Sequence, residues 1–448
     1  MSSTDGSVEA VPPAESDIIV VGGGPAGCTA ATLLARRGWS VTLLEKGSHP
    51  RFHIGESLLP MNLPILERLG VLDAVAAIGV RKGGADFPAP TTEGYNAFRF
   101  DRALDSTWAH AYQVRRDEFD TLLFQNALAN GVGAWQGRRV TTFATGRDEV
   151  TVEGIAESGQ PFRCKARYLV DATGRDTLVG SQLRLKRKNP RHQSAAIFAH
   201  FRGVERRPGS DAGNISIYRY DQGWVWLIPL RDDITSIGAV CWPDYLKGRR
   251  TGNRDFLLQT LRSIPNLWQR MEHAEIAGNL HATGNYSYTC TRISGRRWIM
   301  AGDSYGFVDP IFSSGVYLAM HGAEAVADVV DGALRDPGYE RRLQRAYSQQ
   351  IRRGLRTLSW FIFRFTSPAM RKLFAAPRND LQLEQAMISM LAGDVFRNNG
   401  VAWRLRVFKL IYVVTALGDL KEQARAYFFR RRQARAVFTG GTAGQDGA

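Results

Sequence analysis

The sequence predicts an α/β fold in which a Rossmann-like nucleotide domain is interleaved with a second, β-sheet domain and followed by a helical C-terminal region. Three observations lead there. The apolar run Asp17–Val21 flows into Gly22-Gly23-Gly24-Pro25-Ala26-Gly27 and then a small-residue helix through Thr32 to Arg36. Residues from about 190 to 290 carry short alternating runs, among them Ala195–Phe198 and Asn214–Tyr218, that read as strands. From Tyr339 the pattern turns helical and basic.

In chain order, residues 1–16 are polar, contain Pro12-Pro13 and lack a basic start followed by an apolar run, so they read as a flexible leader rather than a signal peptide. In the glycine-rich turn, Gly22 permits the tight bend, Gly24 lets a pyrophosphate approach the backbone, and Gly27 allows helix and strand to pack closely. Pro25 and Ala26 open the helix, whose N-terminus faces the phosphates. The strand Val41–Leu44 ends at Glu45, an acid at the interval expected of a ribose ligand. Strand, turn, helix, strand and acid together specify dinucleotide binding. Later, Trp298–Asp303 presents another strand ending in Gly-Asp, where Asp303 is either a ligand residue or a helix cap. The nucleotide domain is therefore expected over 17–190 and 291–335, with 76–110 lent to the substrate side, and the substrate sheet over 191–290. Helices follow over 336–436 and a disordered tail over 437–448, whose Gly440-Gly441-Thr442-Ala443-Gly444 has no helix after it.

A chain of 448 residues with 44% hydrophobic content can bury a large core, and the formal charge of +15 suits nucleic acid, an anionic membrane surface or an acidic protein. Arginine pairs and triplets bunch in the last third, at Arg341-Arg342, Arg352-Arg353 and Arg430-Arg431-Arg432, but no nucleic-acid module accompanies them, so no nucleic-acid partner is expected. The four cysteines form no CxxC pair and the histidines no metal-ligand spacing, so neither disulfide nor metal is assigned, and His53 and His110 read as structural. No nucleophile elbow supports hydrolysis. The apolar stretch Val407–Leu417 is interrupted by Lys409 and too short to span a bilayer, which points to a cytoplasmic protein with at most peripheral membrane contact.

Four further segments carry chemistry. Trp224-Val225-Trp226-Leu227-Ile228-Pro229 alternates so that Trp224, Trp226 and Ile228 share one strand face and Val225 and Leu227 the other; taken alone it is a core strand. Gly55-Glu56-Ser57 follows the first nucleotide unit, and Lys82 stands in Val80-Arg81-Lys82-Gly83-Gly84-Ala85-Asp86-Phe87. Pro310-Ile311-Phe312-Ser313-Ser314-Gly315-Val316 approaches a helix start, where backbone N–H groups hold an anion or Ser simply caps the helix.

With Val114–Asp120 and Val170–Gly174, these segments resemble the flavin-dependent halogenases, the tryptophan-halogenase-like superfamily, and within it the phenol- and pyrrole-type branch. The resemblance is strong over residues 17 to 330 and weak beyond. It implies a hydroxylase-type, glutathione-reductase-like FAD domain. It also implies that Asp303 contacts the ribityl-phosphate region, that Arg116 (or failing that Arg115) contacts the flavin, and that Glu56 lies on a loop over it. The helix start at Gly315 and Val316 is then near the isoalloxazine, with Ser314 and Gly315 holding the halide. Reduced FAD, oxygen and chloride or bromide would make hypohalous acid, which Lys82 holds and polarises or captures as a haloamine. Arginine, always protonated, would not serve. Trp224 and Trp226 are expected to keep the organic substrate away from the flavin. Since no second nucleotide unit follows, reduced FAD is expected from a separate flavin reductase. Phe312 stands where tryptophan halogenases carry glutamate, which argues against a free indole and for a phenol or pyrrole that an acyl or peptidyl carrier protein tethers, in secondary-metabolite or pigment biosynthesis. The alternatives are an FAD hydroxylase or polyene reductase on the same scaffold, and a non-enzymatic flavin-binding membrane or carrier adaptor.

Overall fold

Five parallel strands form the spine of the first domain, in the order Gly133–Trp135, Val41–Leu44, Glu15–Val21, Pro161–Asp171 and Trp298–Met300. The computed structural model describes residues 11–88, 94–189, 193–284, 287–375, 379–397 and 400–435. A parallel sheet is covered on both faces, which is why Ile18 to Val21 and Val41 to Leu44 read as unbroken apolar runs and are fully buried. The helix Pro25–Ala35 packs against the sheet and against the long helix Gly315–Arg335. The hairpin Arg138–Thr145 and Val150–Ala156 adds antiparallel to the first half of Pro161–Asp171. The opening strand begins at Glu15, paired with Lys165, so Glu15 and Ser16 belong to the sheet and not to the expected leader. The expected disordered tail lies outside the described residues.

The second sheet runs Glu275–Ile276, Ala195–Arg202, Ile234–Cys241, Gly223–Pro229, Ile215–Tyr220, Gly84–Pro88 and Tyr95–Arg99, with His281–Thr283 also on Ala195–Arg202. The segment between the nucleotide motifs thus supplies two strands of this sheet. Alternation along Gly223–Pro229 divides two cores. Trp224, Trp226 and Ile228 join the core shared with the nucleotide domain. Val225 and Leu227 pack instead with Phe256, Leu257 and Leu261 of the helix Asn253–Arg262.

Beyond Arg335 the chain is helical: Glu340–Ile362, Pro368–Ala375, Leu383–Leu391, Val401–Gly418 and Leu420–Arg435. Phe374, from the second of these helices, and Phe365, just ahead of it, meet Phe87 with ring centroids 5.2 and 5.6 Å away, against the edge of the second sheet. Among the described residues no helix is long and apolar enough to cross a membrane.

Candidate functional site

The three glycines of the first turn do different work. Gly22 has φ +108°, open to glycine at little cost, and a side chain there would meet the Ala172 carbonyl oxygen at 2.3 Å. At Gly27 a Cβ would stand 1.8 Å from the Gly22 oxygen, so helix and strand touch through hydrogen alone. Gly24 has nothing nearer than the Arg51 guanidinium at 3.9 Å, which leaves room for a phosphate against its backbone. Pro25 starts the helix with no side-chain cap, so its first amides remain available to an anion. Glu45 is buried facing this loop, accepting hydrogen bonds from the amides of Gly23 at 2.6 Å and Gly47 at 2.9 Å.

Asp303 sits in the turn after Trp298–Met300. Burial lifts its carboxyl to about 6, partly offset by Arg175 and Arg116. Among the described residues nothing hydrogen-bonds its side chain, so it is not spent as a cap. Asp171, by contrast, is satisfied by Thr173 and the Val179 amide and fixes its own turn. Arg116 opens the helix Arg116–Ala129 and is buried, holding Asp120 at 2.8 and 2.9 Å and the Ile54 carbonyl at 2.7 Å. Arg115 points elsewhere, toward Glu118 and Asp232.

One short strand organises the next group. Ala111–Gln113 pairs on one edge with Val80–Lys82 and on the other with the loop at Ser57, while the Leu58 amide bonds to Tyr112 and the Val114 amide to Glu56. Lys82 is thereby carried to the loop. Its Nζ donates to Ser57 Oγ at 2.9 Å and to the Leu58 carbonyl at 3.0 Å, with the Phe100 ring centroid 5.4 Å away. The side chain is 1% exposed, and burial pulls its ammonium from 10.5 down to about 7. Among the described residues no carboxylate faces it to restore the charge. Glu56, also 1% exposed, meets His200 Nε2 at 2.7 Å, and its other oxygen has no partner.

The turn at the start of Gly315–Arg335 is set by Asp309, whose carboxylate accepts from the Ile311 amide, and by Ser313 at φ +56°. Ser314 occupies the cap position without capping: its hydroxyl is buried and unpartnered. A side chain at Gly315 would meet nothing within 4 Å. Unsatisfied amides, an orphan hydroxyl and open space at the positive end of a 21-residue helix form an anion cradle. Val316 is buried and a methyl of it would lie 3.8 Å from a side chain placed at Gly55, so this helix start abuts the Glu56 loop. The open cradle at Gly24, the acid Glu45, Asp303, Arg116 and this helix start fit the parts of FAD. Glu45 and Gly24 would hold the adenosine end, and Gly315 and Val316 would border the ring.

Trp224 and Trp226 stand 5.9 Å apart by centroid, and Trp226 donates to Ser236 at 3.2 Å. Gly238 lies opposite because a Cβ there would strike the Trp226 indole at 2.2 Å. Past Trp226 the aromatic row continues to Phe198 and Phe52. Phe312, just ahead of the anion cradle, packs edge-on against Phe365, over which Arg219 lies at 4.8 Å. Sequence reasoning missed His200 and Ser57 as partners of Glu56 and Lys82. The signal for His200 was available: with Ala196 and Phe198 it alternates onto the strand face that Trp224 and Trp226 share. Ser57 gave none, since only the pairing of the loop with Ala111–Gln113 brings it to Lys82.

A family model described as an FAD binding domain matches residues 15–358. A tryptophan 2-halogenase of Chondromyces crocatus is 35% identical over 349 residues, spanning 74% of this chain and 66% of that protein. A flavin-dependent halogenase of Armillaria mellea is 32% identical over 360 residues, 73% of this chain and 69% of that one. A 1H-pyrrole-2-carbonyl-[peptidyl-carrier protein] chlorinase of Pseudomonas fluorescens is 26% identical over 404 residues, 85% and 89% respectively. The chain thus spans about two thirds of the length of the first two relatives.

Proposed function

This chain belongs to the flavin-dependent halogenases within the wider FAD binding domain family, and on that premise we propose that it halogenates an electron-rich aromatic ring of the phenol or pyrrole type. Bound FAD, reduced by a separate flavin reductase, supplies the oxygen activation that converts chloride or bromide into hypohalous acid. The cradle at Ser314 and Gly315 holds the halide through N–H groups, without a full positive charge. The observation that carries the reading is Lys82, a buried amine with no counter-ion among the described residues and an ammonium pulled down to about 7. A neutral amine has two hydrogens and one lone pair. Ser57 and Leu58 accept the two hydrogens, which leaves the lone pair pointing away from both and able to take an electrophilic halogen. Trp224 and Trp226 wall the organic substrate off from the flavin, so that halogenation rather than hydroxylation results.

The pyrrole chlorinase relative supports a carrier-tethered ring substrate. The identity to a tryptophan 2-halogenase favours an indole as the second reading. The test is mass spectrometry after incubation with FAD, a flavin reductase, NADH, either halide, and phenols, pyrroles and indoles supplied free or carrier-loaded. The expected result is a halogen isotope pattern on a phenol or pyrrole. Product from indoles alone replaces the substrate reading, and a hydroxylated, halogen-free product moves the chain to the hydroxylases.

A further inference from the structure

We propose that the exposed ridge formed by the helices Val401–Gly418 and Leu420–Arg435 docks this protein on an anionic lipid surface. The first of these helices is apolar on two faces. Val401, Leu405, Phe408 and Tyr412 are buried in the core. Leu410, Val413, Val414 and Leu417 repeat at helical spacing on another face and are 64%, 48%, 63% and 59% exposed. Leu420, 62% exposed, continues the ridge past the Gly418–Asp419 corner, and Tyr427 and Phe428 extend apolar exposure along the next helix. An ordinary surface helix carries polar side chains there. Contiguous aliphatic area of this kind marks a binding face.

Charge selects the occupant. Residues 401–435 carry nine arginines and lysines against Asp419 and Glu422 alone; Arg404, Lys409 and Arg430 turn to the body of the protein, while Arg406, Lys421, Arg425, Arg431 and Arg432 are exposed. Asp419 is already paired with Lys372 at 2.6 Å. Arg432 reaches Asp244 only at 3.4 Å and keeps 81% of its side chain exposed. Leu and Val side chains on successive turns, bordered by cations of one sign, provide apolar area and a long-range field. They provide no pocket or directional polar group by which a particular protein would be read. That combination is the chemistry of an interfacial helix: the aliphatic ridge enters the acyl boundary while the cations meet lipid phosphates. The ridge is too short to span, so it lies on the membrane. Gln433, bonded to Asp244, and Arg430, bonded to the Phe363 carbonyl, tie the second helix to the rest of the protein. The proposal holds whichever ring the enzyme halogenates.

The test is co-sedimentation of the full-length protein with phosphatidylcholine vesicles with and without phosphatidylglycerol, at low and high salt. The wild type is expected to pellet with phosphatidylglycerol vesicles and to partition less as salt rises. The triple variant Leu410→Ser/Val414→Ser/Leu417→Ser, whose changes are all on the surface, should fold and bind FAD normally yet partition about a hundredfold more weakly. Lys421→Glu/Arg425→Glu should weaken partition by about tenfold or more. The proposal is overturned if the wild type stays in the supernatant, if the triple variant binds as well, or if the wild type sediments as a dimer that the triple variant abolishes. That last outcome would give the ridge to a second copy of the chain.

Discussion

Replacing Lys82 by Met converts the buried amine into a side chain of similar length that carries no charge, and its effect on stability changes sign with pH. In the unfolded chain the ammonium persists to about pH 10.5, whereas in the folded protein it releases its proton at about 7. Between those values the unfolded state binds more protons, so this group makes wild-type stability rise with pH. Below pH 7 both states are protonated and the buried charge costs its full amount, about 5 kcal/mol. Methionine removes that cost but abandons the hydrogen bonds to Ser57 and the Leu58 carbonyl, a loss of about 2–3 kcal/mol. The variant should therefore be more stable than wild type by about 2 kcal/mol at pH 6, lose that advantage by about 1.4 kcal/mol per pH unit above 7, and fall below wild type at about pH 8.5. Urea unfolding of the FAD-free proteins across this range measures the difference directly. A pH-independent difference, or a variant less stable than wild type at pH 6, would refute the claim that the amine is buried without a counter-ion.

The remaining predictions concern the flavin side of the site. Gly24→Ala has room and should melt within about 2 °C of wild type without FAD, yet lose about tenfold or more in FAD affinity by fluorescence titration; Gly27→Ala, which drives a methyl into the Gly22 carbonyl, should fail to fold stably. Asp303→Asn should stabilise the FAD-free protein by about 1–2 kcal/mol above pH 6, because the folded carboxyl is raised to about 6 from 3.8, and the gain should vanish as pH falls through that interval while FAD binding weakens. His200→Ala leaves Glu56 buried with neither oxygen bonded and should cost about 2–3 kcal/mol in urea unfolding, whereas Glu56→Gln, which keeps a partner for His200, should cost less.

Much of this was legible in local sequence because the features are local. The turn at Gly22, Gly24 and Gly27 is specified by contacts within one strand-turn-helix unit, and the alternation of Trp224 to Ile228 follows from the period of a strand. The role of Ser57 was hidden because it depends on one three-residue strand, Ala111–Gln113, holding two distant segments side by side. The C-terminal helices read in the sequence only as helical and basic. Their contact with Phe87 is long-range and leaves no periodic trace. Glu15 and Ser16 read as leader because polar residues at a strand's edge carry no apolar signal, although both pair with Pro161–Asp171.

Lys82, as proposed, passes halogen to the substrate and plays no part in activating oxygen at the flavin. Lys82→Ala, given reduced FAD, oxygen, bromide and an aromatic substrate that wild type halogenates, tests it with two readouts from one reaction. Halogenated product is expected to disappear from the mass spectrum while reduced FAD is still oxidised and hydrogen peroxide still accumulates. A variant that halogenates at the wild-type rate would contradict it.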